Sequence, residues 1–377
     1  MPNAVSSGAD MNDVSARPPS FPTQSDPTVI GVARDLAALE HDWDDLADRV
    51  DAPPFLRHGW IAAWWAAFAT GRLEILTARR GGQLVGLVPL LRSRSALKSA
   101  TNAHTPQFGI LAQDRASARS LAEALLQRAP WCATLRFVDP AADATREFMS
   151  AAAARGQVLS VILLRSPYVD LQDGREAVVD RLRSKLRADL RRRRRRLEER
   201  GTVTIEIDGR GDHEQLLREG FLLETSGWKA LRRSAIVSRE NTRRFYTSFA
   251  RSAAHRGWLR LAFIRLDGRP IAFQLALEDG QRYYFLKGGY LPAFRRYAPM
   301  KLLVSATLER AHALGLKSYE FLGNEEPWKL EWTQTCRERV RIDAFPRSPF
   351  GFAAWAIVMS ALQYGKPLVK RVLAARP

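Results

Sequence analysis

The sequence is poor in the residues that build metal sites and disulfide frameworks. Two of its 377 residues are cysteine, Cys132 and Cys336, and they lie far apart and outside any C-x-x-C motif. This excludes a zinc ribbon and a disulfide scaffold, and it indicates reduced thiols in a cytosolic protein. None of the six histidines forms an H-x-x-x-H pair, so we predict no metal site.

Several catalytic signatures are also missing. The chain has no G-x-S-x-G motif, no P-loop and no G-x-G-x-x-G, which argues against the common hydrolases, nucleoside triphosphatases and dinucleotide-binding enzymes. No signal peptide is evident, and the longest apolar stretch, 350–362, is shorter than the roughly 18 residues of a membrane span. We therefore expect a cytoplasmic protein that can at most attach peripherally to the inner membrane surface.

Positive charge and tryptophan are abundant. The formal net charge is +18, the isoelectric point is about 10.6, and ten residues are tryptophan. Such a balance attracts nucleic acid, acidic lipid or phosphorylated small molecules, and tryptophan lines clefts well. The length suggests two domains of ordinary size.

A strand–turn–strand pattern occurs twice, about 186 residues apart. The segments are Ile75–Leu90 and Leu261–Ala276, with turns at Gly81-Gly82 and Asp267-Gly268. A segment with apolar residues at helical spacing precedes each hairpin, at 59–71 and 242–257. The pattern favours a duplicated unit, although a helix followed by a hairpin also recurs by chance.

The elements that follow each hairpin indicate an α+β fold with a mainly antiparallel sheet. After the second hairpin we predict a strand at 282–287, a helix at 300–314 and a strand at 318–322. In the first half, 121–127 reads as helix, 134–138 as strand and 158–164 as a buried strand.

A strongly basic segment separates the two halves. Arg181–Arg200 carries eleven Lys or Arg residues against three acids, and its leucines fall on one helical face. This predicts an amphipathic helix. Its cationic faces either contact the phosphates of RNA or anionic lipid, or form a solvated surface paired to acids.

The domain organisation follows from these segments. We predict a disordered tail at 1–27, a first unit at 28–165, the basic linker helix within 166–202, a second unit at 203–345 and an amphipathic segment at 346–377. The last segment can pack on the body, which we favour, or lie on a membrane surface.

The second half resembles a known family. Its ordered motifs "FLLETSGWK", "GRPIAF", "YYFLKGGY", "YEFLG" and "WKLEW" are similar to the BioF2-like acetyltransferase domain of the GNAT superfamily, found in CelD-like proteins and related to Fem-type aminoacyl transferases. "PPFLRHGWIAAWWAAF" and the basic segment resemble parts of the same family, so the likeness spans roughly 30–345. It implies tandem GNAT-like units, each a sheet flanked by helices, with the basic helix between them.

The resemblance also implies transfer of an acyl group from acyl-CoA to an amine or hydroxyl, with no bound cofactor. In one respect the sequence departs from the superfamily. The usual pyrophosphate loop Q/R-x-x-G-x-G/A is replaced by Arg295–Pro299, "RRYAP". This substitution puts ordinary acetyl-CoA binding in question and leaves room for another donor.

The candidate site lies within 220–335. Its residues and expected roles are as follows: catalytic Lys329 (charge stabilisation), Glu320 (base) and Tyr290 (proton donor); donor-binding Lys287, Gly288, Arg295, Arg296 and Lys301; and substrate-binding Trp228, Lys229, Asn324, Trp328 and Trp332. For each of them a plain structural role is the alternative.

Three functions remain open at this point. The acyl-CoA enzyme would act on a small molecule or on a cell-envelope or polysaccharide precursor. A Fem-type enzyme would instead bind aminoacyl-tRNA through the arginine run, with strong salt dependence. A non-catalytic protein with a degenerate fold would dock anionic lipid and show no turnover.

Overall fold

The structure is a computed structural model that describes residues 27–172, 184–208, 212–225 and 239–360. Its strands, numbered in chain order, are β1 Val29–Ala33, β2 Arg72–Arg80, β3 Gln83–Arg92, β4 Ala96–Ser99, β5 Leu111–Ala112, β6 Cys132–Val138, β7 Gly156–Asp170, β8 Val203–Asp208, β9 Leu259–Leu266, β10 Arg269–Glu278, β11 Arg282–Tyr290, β12 Ser318–Glu320 and β13 Cys336–Pro346.

Helices of very different length flank these strands. They are α1 Glu40–Arg49, α2 His58–Phe68, α3 Arg115–Arg128, α4 Asp143–Arg155, α5 Ser184–Glu198, α6 His213–Thr225, α7 Glu240–His255, α8 Pro299–Ala313, the short α9 Pro327–Leu330, and α10, which begins at 349 and is described as far as 360. A 3-10 segment, Pro292–Tyr297, precedes α8.

All strands belong to one mixed sheet. Its order is β1-β2-β3-β4-β6-β13-β7-β12-β11-β10-β9-β8, with β5 added beside β3. The pairs β4–β6 and β11–β12 are parallel, and the other pairs along this order are antiparallel. Each half therefore contributes a strand, a hairpin, a fourth strand and a parallel fifth strand, in the same order.

The two halves exchange their last strands. β7 follows the first half but pairs with β12 of the second, and β13 follows the second half but pairs with β6 of the first. β7 and β13 also pair with each other, from Gly156 opposite Pro346 to Pro167 opposite Cys336. Neither half completes its sheet from its own chain segment.

Both hairpin turns have the backbone that the sequence predicts. Gly81 and Gly82 have φ values of 54° and 82°, and Asp267 and Gly268 have 49° and 77°. Two consecutive positive φ values are the mark of a type I′ turn, whose twist matches that of the flanking strands. The repeated helix-and-hairpin pattern is present in both halves.

The helices form layers on both faces of the sheet. α3 and α4 cover one face of the first half, and α5 and α8 cover one face of the second. On the opposite face, α1, α2, α6 and α7 share one apolar core. At its centre the Trp60 ring lies 4.9 Å from that of Phe245 and 4.6 Å from that of Phe249, edge-on to both.

The basic segment is helical where the structure describes it. In α5 the leucines Leu186, Leu190 and Leu197 are buried, as an amphipathic helix requires, while Leu182 lies outside the described residues. Four of its arginines pair with nearby acids: Asp189 bonds to two of them, and Glu198 and the following Glu199 each pair with one.

The prediction of a buried strand at 158–164 is half wrong. The segment is a strand, but its residues are exposed or half-buried, with Ile162 53% exposed. The reason is its position: this part of β7 pairs with β13 alone, and β12 pairs only with Tyr168–Asp170. Apolar composition by itself did not distinguish such an edge from a central strand.

The predicted α+β class with a mainly antiparallel sheet is confirmed. The domain boundaries at 165, 202 and 345 stay predictions, and the exchanged strands cross two of them. Residues 1–26 of the predicted tail and residues 361–377 of the amphipathic segment lie outside the described residues.

The contact between α2 and α7 gives a test of the shared core. A Cβ atom on Gly59 would lie 2.1 Å from the Ser252 Oγ. We expect Gly59→Ala to lower the free energy of unfolding by about 1–3 kcal/mol through overpacking. The loss should be smaller in a Ser252→Ala background, which removes the nearest atom. Urea unfolding of the four proteins measures this coupling, and equal losses in both backgrounds would contradict it.

Candidate active site

A cleft opens where two parallel strands of the second half diverge. β11 and β12 pair only from Arg282 opposite Ser318 to Tyr284 opposite Glu320, and beyond these residues the two strands separate. A cavity of about 640 Å³ fills the gap, within the range of small-molecule sites. Predicted site residues that line it are Lys287, Gly288, Tyr290, Arg295, Trp328 and Lys329.

A β-bulge in β11 shapes this cleft. Phe285 pairs with Ala276 and Lys287 pairs with Leu275, so Leu286 is an extra residue without a counterpart in β10. The bulge shifts the alternation of side chains by one. Lys287 thereby falls on the face covered by α6 and α7, rather than on the face covered by α8.

Lys287 lies among ionisable and aromatic groups on that face. Its Nζ is 5.4 Å from the centre of the Tyr246 ring, and Glu224 also lines the cleft and is 2% exposed. Burial lowers the pKa of Lys287, and the Glu224 carboxylate opposes this effect. The cleft thus brings an amine with a lowered pKa close to a buried carboxylate.

The first half contributes His104 to the same cluster. The His104 Nδ1 lies 3.3 Å from the Tyr246 hydroxyl, and its ring stacks on Phe68. Burial, followed by the charges of Lys287 and Arg239, lowers the pKa of His104 to about 4. The imidazole is therefore neutral at physiological pH, and burial raises the pKa of the Tyr246 hydroxyl.

The loop after β11 leads from the cleft to the start of α8. Ala298 adopts a left-handed conformation with φ 47° and ψ 54°, which glycine takes at little cost. The loop thus has a glycine-like bend at this position although the glycines of the usual motif are absent. Arg295 and Arg296 are exposed on this loop, and Lys301 in the first turn of α8 pairs with Glu331.

Lys329 holds the loop after β12. Its Nζ donates to the carbonyl oxygens of Leu322, at 2.8 Å, and Asn324, at 3.0 Å, and it lies 5.5 Å from the centre of the Trp328 ring. Leu322 and Gly323 have positive φ values of 54° and 63°. The geometry gives Lys329 a positioning role at the wall of the cleft; its charge-stabilising role stays a prediction.

The predicted base Glu320 does not reach the cleft, which corrects the sequence analysis. Its carboxylate accepts from the Ser318 hydroxyl and pairs with the Arg337 guanidinium at 2.9 Å. It lines a separate cavity of about 170 Å³ between the two halves, next to Tyr284. Because neighbouring strand residues face opposite sides, Phe321 lines the cleft and Glu320 does not.

Trp332 is also corrected. It is 6% exposed and packs in the α5/α8 core beside Phe321, so it supports the cleft wall without lining the cleft. Trp328 does line the cleft, edge-on to Phe285 and Phe321. Asn324 is exposed and contributes its carbonyl to Lys329.

Two predicted substrate-binding residues, Trp228 and Lys229, lie outside the described residues. Glu224 and His104 were not predicted to belong to the site. Glu224 stands in the quoted "FLLETSGWK" motif, where its place in an apolar helical run was a usable signal. His104 had none, because only tertiary packing brings it to α7. Among the described residues, no group of three or more His, Cys, Asp or Glu side chains is arranged to hold a metal ion.

Comparison with known proteins agrees with this geometry. Residues 184–330 match the family model described as an acetyltransferase (GNAT) domain. No curated protein sequence matches the chain. The matched segment contains α5, the second hairpin, the bulged strand, the cleft and Lys329.

Solved structures share the fold at low sequence identity. One is the C-terminal domain (DUF2156) of a protein from Agrobacterium fabrum that is named a putative lysylphosphatidylglycerol synthetase. It is 14% identical with a TM-score of 0.56, over 87% of this chain and 97% of that one. A conserved protein from Bacteroides thetaiotaomicron is 12% identical with a TM-score of 0.55, over 84% and 100%. FemX is 11% identical with a TM-score of 0.53, over 80% and 93%.

These similarities confirm the predicted GNAT resemblance and its fold. The finer assignment to BioF2-like or CelD-like proteins, and the roles of the individual site residues, stay predictions.

The neutral His104 gives a pH test of the cluster. The folded protein keeps this imidazole neutral down to a pKa of about 4, whereas the unfolded chain protonates it near 6.5. Protons therefore bind preferentially to the unfolded chain, and the free energy of unfolding should fall as the pH drops from about 6.5 to about 4. His104→Gln should lose less stability over this window. Urea unfolding of both proteins across the window checks this, and parallel pH profiles would contradict it.

Proposed function

Since residues 184–330 match the model of a GNAT-type acetyltransferase domain, we propose that the protein transfers an acyl group from acyl-CoA to an amine or hydroxyl acceptor in the cleft between β11 and β12. The observation that carries the proposal is the separation of these two parallel strands beyond Tyr284. It leaves one edge of β11 facing a cavity of about 640 Å³.

The exposed edge of β11 suits an extended ligand with amide groups. Beyond Tyr284 the strand continues to pair with β10 on its other side, as far as Tyr290 with Ala272. The N–H and C=O groups on the cleft side can then bond to the amides of a pantetheine arm, as an added strand would.

The loop and the start of α8 suit the phosphates of the donor. A helix N-terminus attracts anions, and Arg295 lines the cleft beside it. Pro299, at the first position of α8, has no backbone N–H to offer. The loop therefore has fewer backbone N–H groups for phosphate than the usual glycine-containing loop. We propose that the positive charges of Arg295 and Arg296 attract the phosphates instead.

The chemistry proposed for the cleft is direct attack on the thioester carbonyl. The acceptor nitrogen or oxygen forms a bond to the acyl carbon, the carbon–sulfur bond breaks, and the CoA thiolate leaves. Glu224 accepts the proton of the attacking group, and Tyr290 returns a proton to the thiolate. The nearby cation Lys287 and the backbone N–H groups at the bulge stabilise the negative charge on the acyl oxygen.

The acceptor is proposed to be a small molecule or a precursor of the cell envelope or of a polysaccharide. Support for this comes from the resemblance of the sequence to CelD-like and Fem-type proteins. A neutral amine and a hydroxyl both fit the mechanism above, because each must lose a proton when it attacks the acyl carbon.

A second candidate donor is aminoacyl-tRNA, as in Fem-type enzymes. One observation favours it: the Arg193 guanidinium donates to the Arg296 carbonyl oxygen at 2.6 Å, so α5 lies directly beside the loop at the mouth of the cleft. Exposed arginines such as Arg191 and Arg196 then extend the cationic surface away from the cleft. A nucleic acid would use this larger surface, and its binding would weaken steeply with salt.

Binding of the acyl donor can be tested directly. Acetyl-CoA should raise the melting temperature, because it binds the folded state. Arg295→Ala should weaken acetyl-CoA binding roughly tenfold in calorimetric titration, the effect of one lost charge-assisted hydrogen bond. Arg119→Ala, an exposed arginine on α3, is the matched control. If no CoA species binds the wild-type protein, the acyl-CoA reading is wrong and charged tRNA becomes the next ligand to titrate.

The proposed role of Glu224 as the base can be tested in the same way. Glu224→Gln should lower kcat/KM for release of the CoA thiol by about a hundredfold or more, with acetyl-CoA affinity unchanged. Glu214→Gln, an exposed acid on the same helix, is the control. The assay uses a panel of amine and hydroxyl acceptors. Tight acetyl-CoA binding without thiol release for any acceptor would favour the non-catalytic alternative.

A further inference from the structure

The helix α10 is apolar on more than one side, and large apolar side chains on it are exposed among the described residues. Phe350 and Ile357 lie on one side of it and Phe352 and Met359 on another, and their exposed fractions are 59%, 66%, 64% and 36%. The residues 349–360 include no charged side chain. A helix that is apolar all round is normally enclosed by protein or lipid.

The first turn of α10 is capped by a side chain, and its first aromatic residue packs on a neighbouring aromatic ring. The Ser348 hydroxyl accepts from the Gly351 N–H at 3.0 Å, which caps the first turn. Phe350 stacks on Trp131, which is itself 37% exposed, with ring centres 5.3 Å apart. We call the exposed surface of Trp131, Phe350, Phe352, Ile357 and Met359 the α10 patch.

The exposed charges next to the α10 patch are positive, because Glu74, which pairs with Arg92 and Arg128, is only 2% exposed. The segments that surround it, 92–98, 125–132, 150–158 and 344–360, contain no Asp or Glu. Arg94 and Arg347 are exposed there. Residues 361–377 contain four further cations and no acid. Exposed aromatic and aliphatic groups bordered by cations match the interface of an anionic bilayer, where rings enter the headgroup region and cations meet phosphates.

We propose that the α10 patch docks the protein on the surface of an anionic phospholipid membrane. Because cations border its apolar residues, we place α10 in the headgroup interface, with its rings toward the acyl chains. Within the described residues, indeed, every helix is too short or too polar to cross a bilayer. A second copy of the chain is the competing occupant, but two such patches would place their cationic borders against each other.

The docked orientation leaves the cleft accessible. α10 follows Pro346, which pairs with Gly156 at the start of β7, whereas β12 and the cleft adjoin the other end, at Asp170. The fourteen steps between Gly156 and Asp170 span about 46 Å along the strand. Membrane binding and acetyl-CoA binding are therefore separable properties of the protein.

Sedimentation with lipid vesicles tests the proposal. The full chain should bind vesicles of equal parts phosphatidylglycerol and phosphatidylcholine at about 0.1 M salt, and bind vesicles of phosphatidylcholine alone much less. The triple variant Phe350→Glu, Phe352→Glu, Ile357→Glu should lose roughly tenfold or more of this binding. Leu314→Glu, at a 50% exposed apolar residue of the second half, is the control and should bind as the wild type does.

Three results would overturn the proposal. They are equal binding to both kinds of vesicle, unchanged binding by the triple variant, and a dimer in light scattering without vesicles that the triple variant abolishes. The last result would identify a second copy as the occupant. An unchanged melting temperature in the triple variant verifies that it folds, and the acetyl-CoA titration is repeated on it to keep this result apart from that of the cleft.

Discussion

The antiparallel pairing of β7 with β13 is the interaction on which the rest of the structure depends. These two strands join the sheets of the two halves, and each also supplies the strand that completes the sheet of the other half. The helices α2 and α7 can share a core because the joined sheet holds them at a fixed separation. The small cavity that contains Glu320 lies beside the same strands, with Arg337 of β13 and Ser166 of β7 in its wall. Even the position of α10 is set here, because it continues directly from β13.

Local chemistry made much of this fold predictable. Glycine-containing turns located both hairpins, apolar spacing located the helices around them, and the leucines of the basic segment predicted which side of α5 is buried. The strand exchange could not be predicted in this way, since nothing in the sequence of β7 or β13 specifies a partner. The exposure of Ile162 has the same origin: whether an apolar strand is central or at an edge depends on a neighbour contributed from far along the chain.

The candidate site shows the same division. Residues that follow one another at the end of β11, such as Lys287 and Tyr290, were predicted together and do lie together in the cleft. Glu320 was misplaced because its side of β12 was inferred from composition, and both faces of that strand carry residues typical of a cleft. Glu224 and His104 reach Lys287 from elements that are distant in sequence. Only the packing of α6 and α7 on the sheet brings them there.

The bulge at Leu286 has a consequence for the parity of β11. Before Leu286 the odd-numbered residues of β11 face α8, whereas after it the odd-numbered residues face α6 and α7. Any change of length by a single residue between Phe285 and Gly288 would turn the Lys287 amine away from Glu224 and toward the apolar layer under α8. The chemical character of the cleft is thus encoded in a count of residues as much as in their identity, and a gain or loss of one residue there would have the effect of several substitutions.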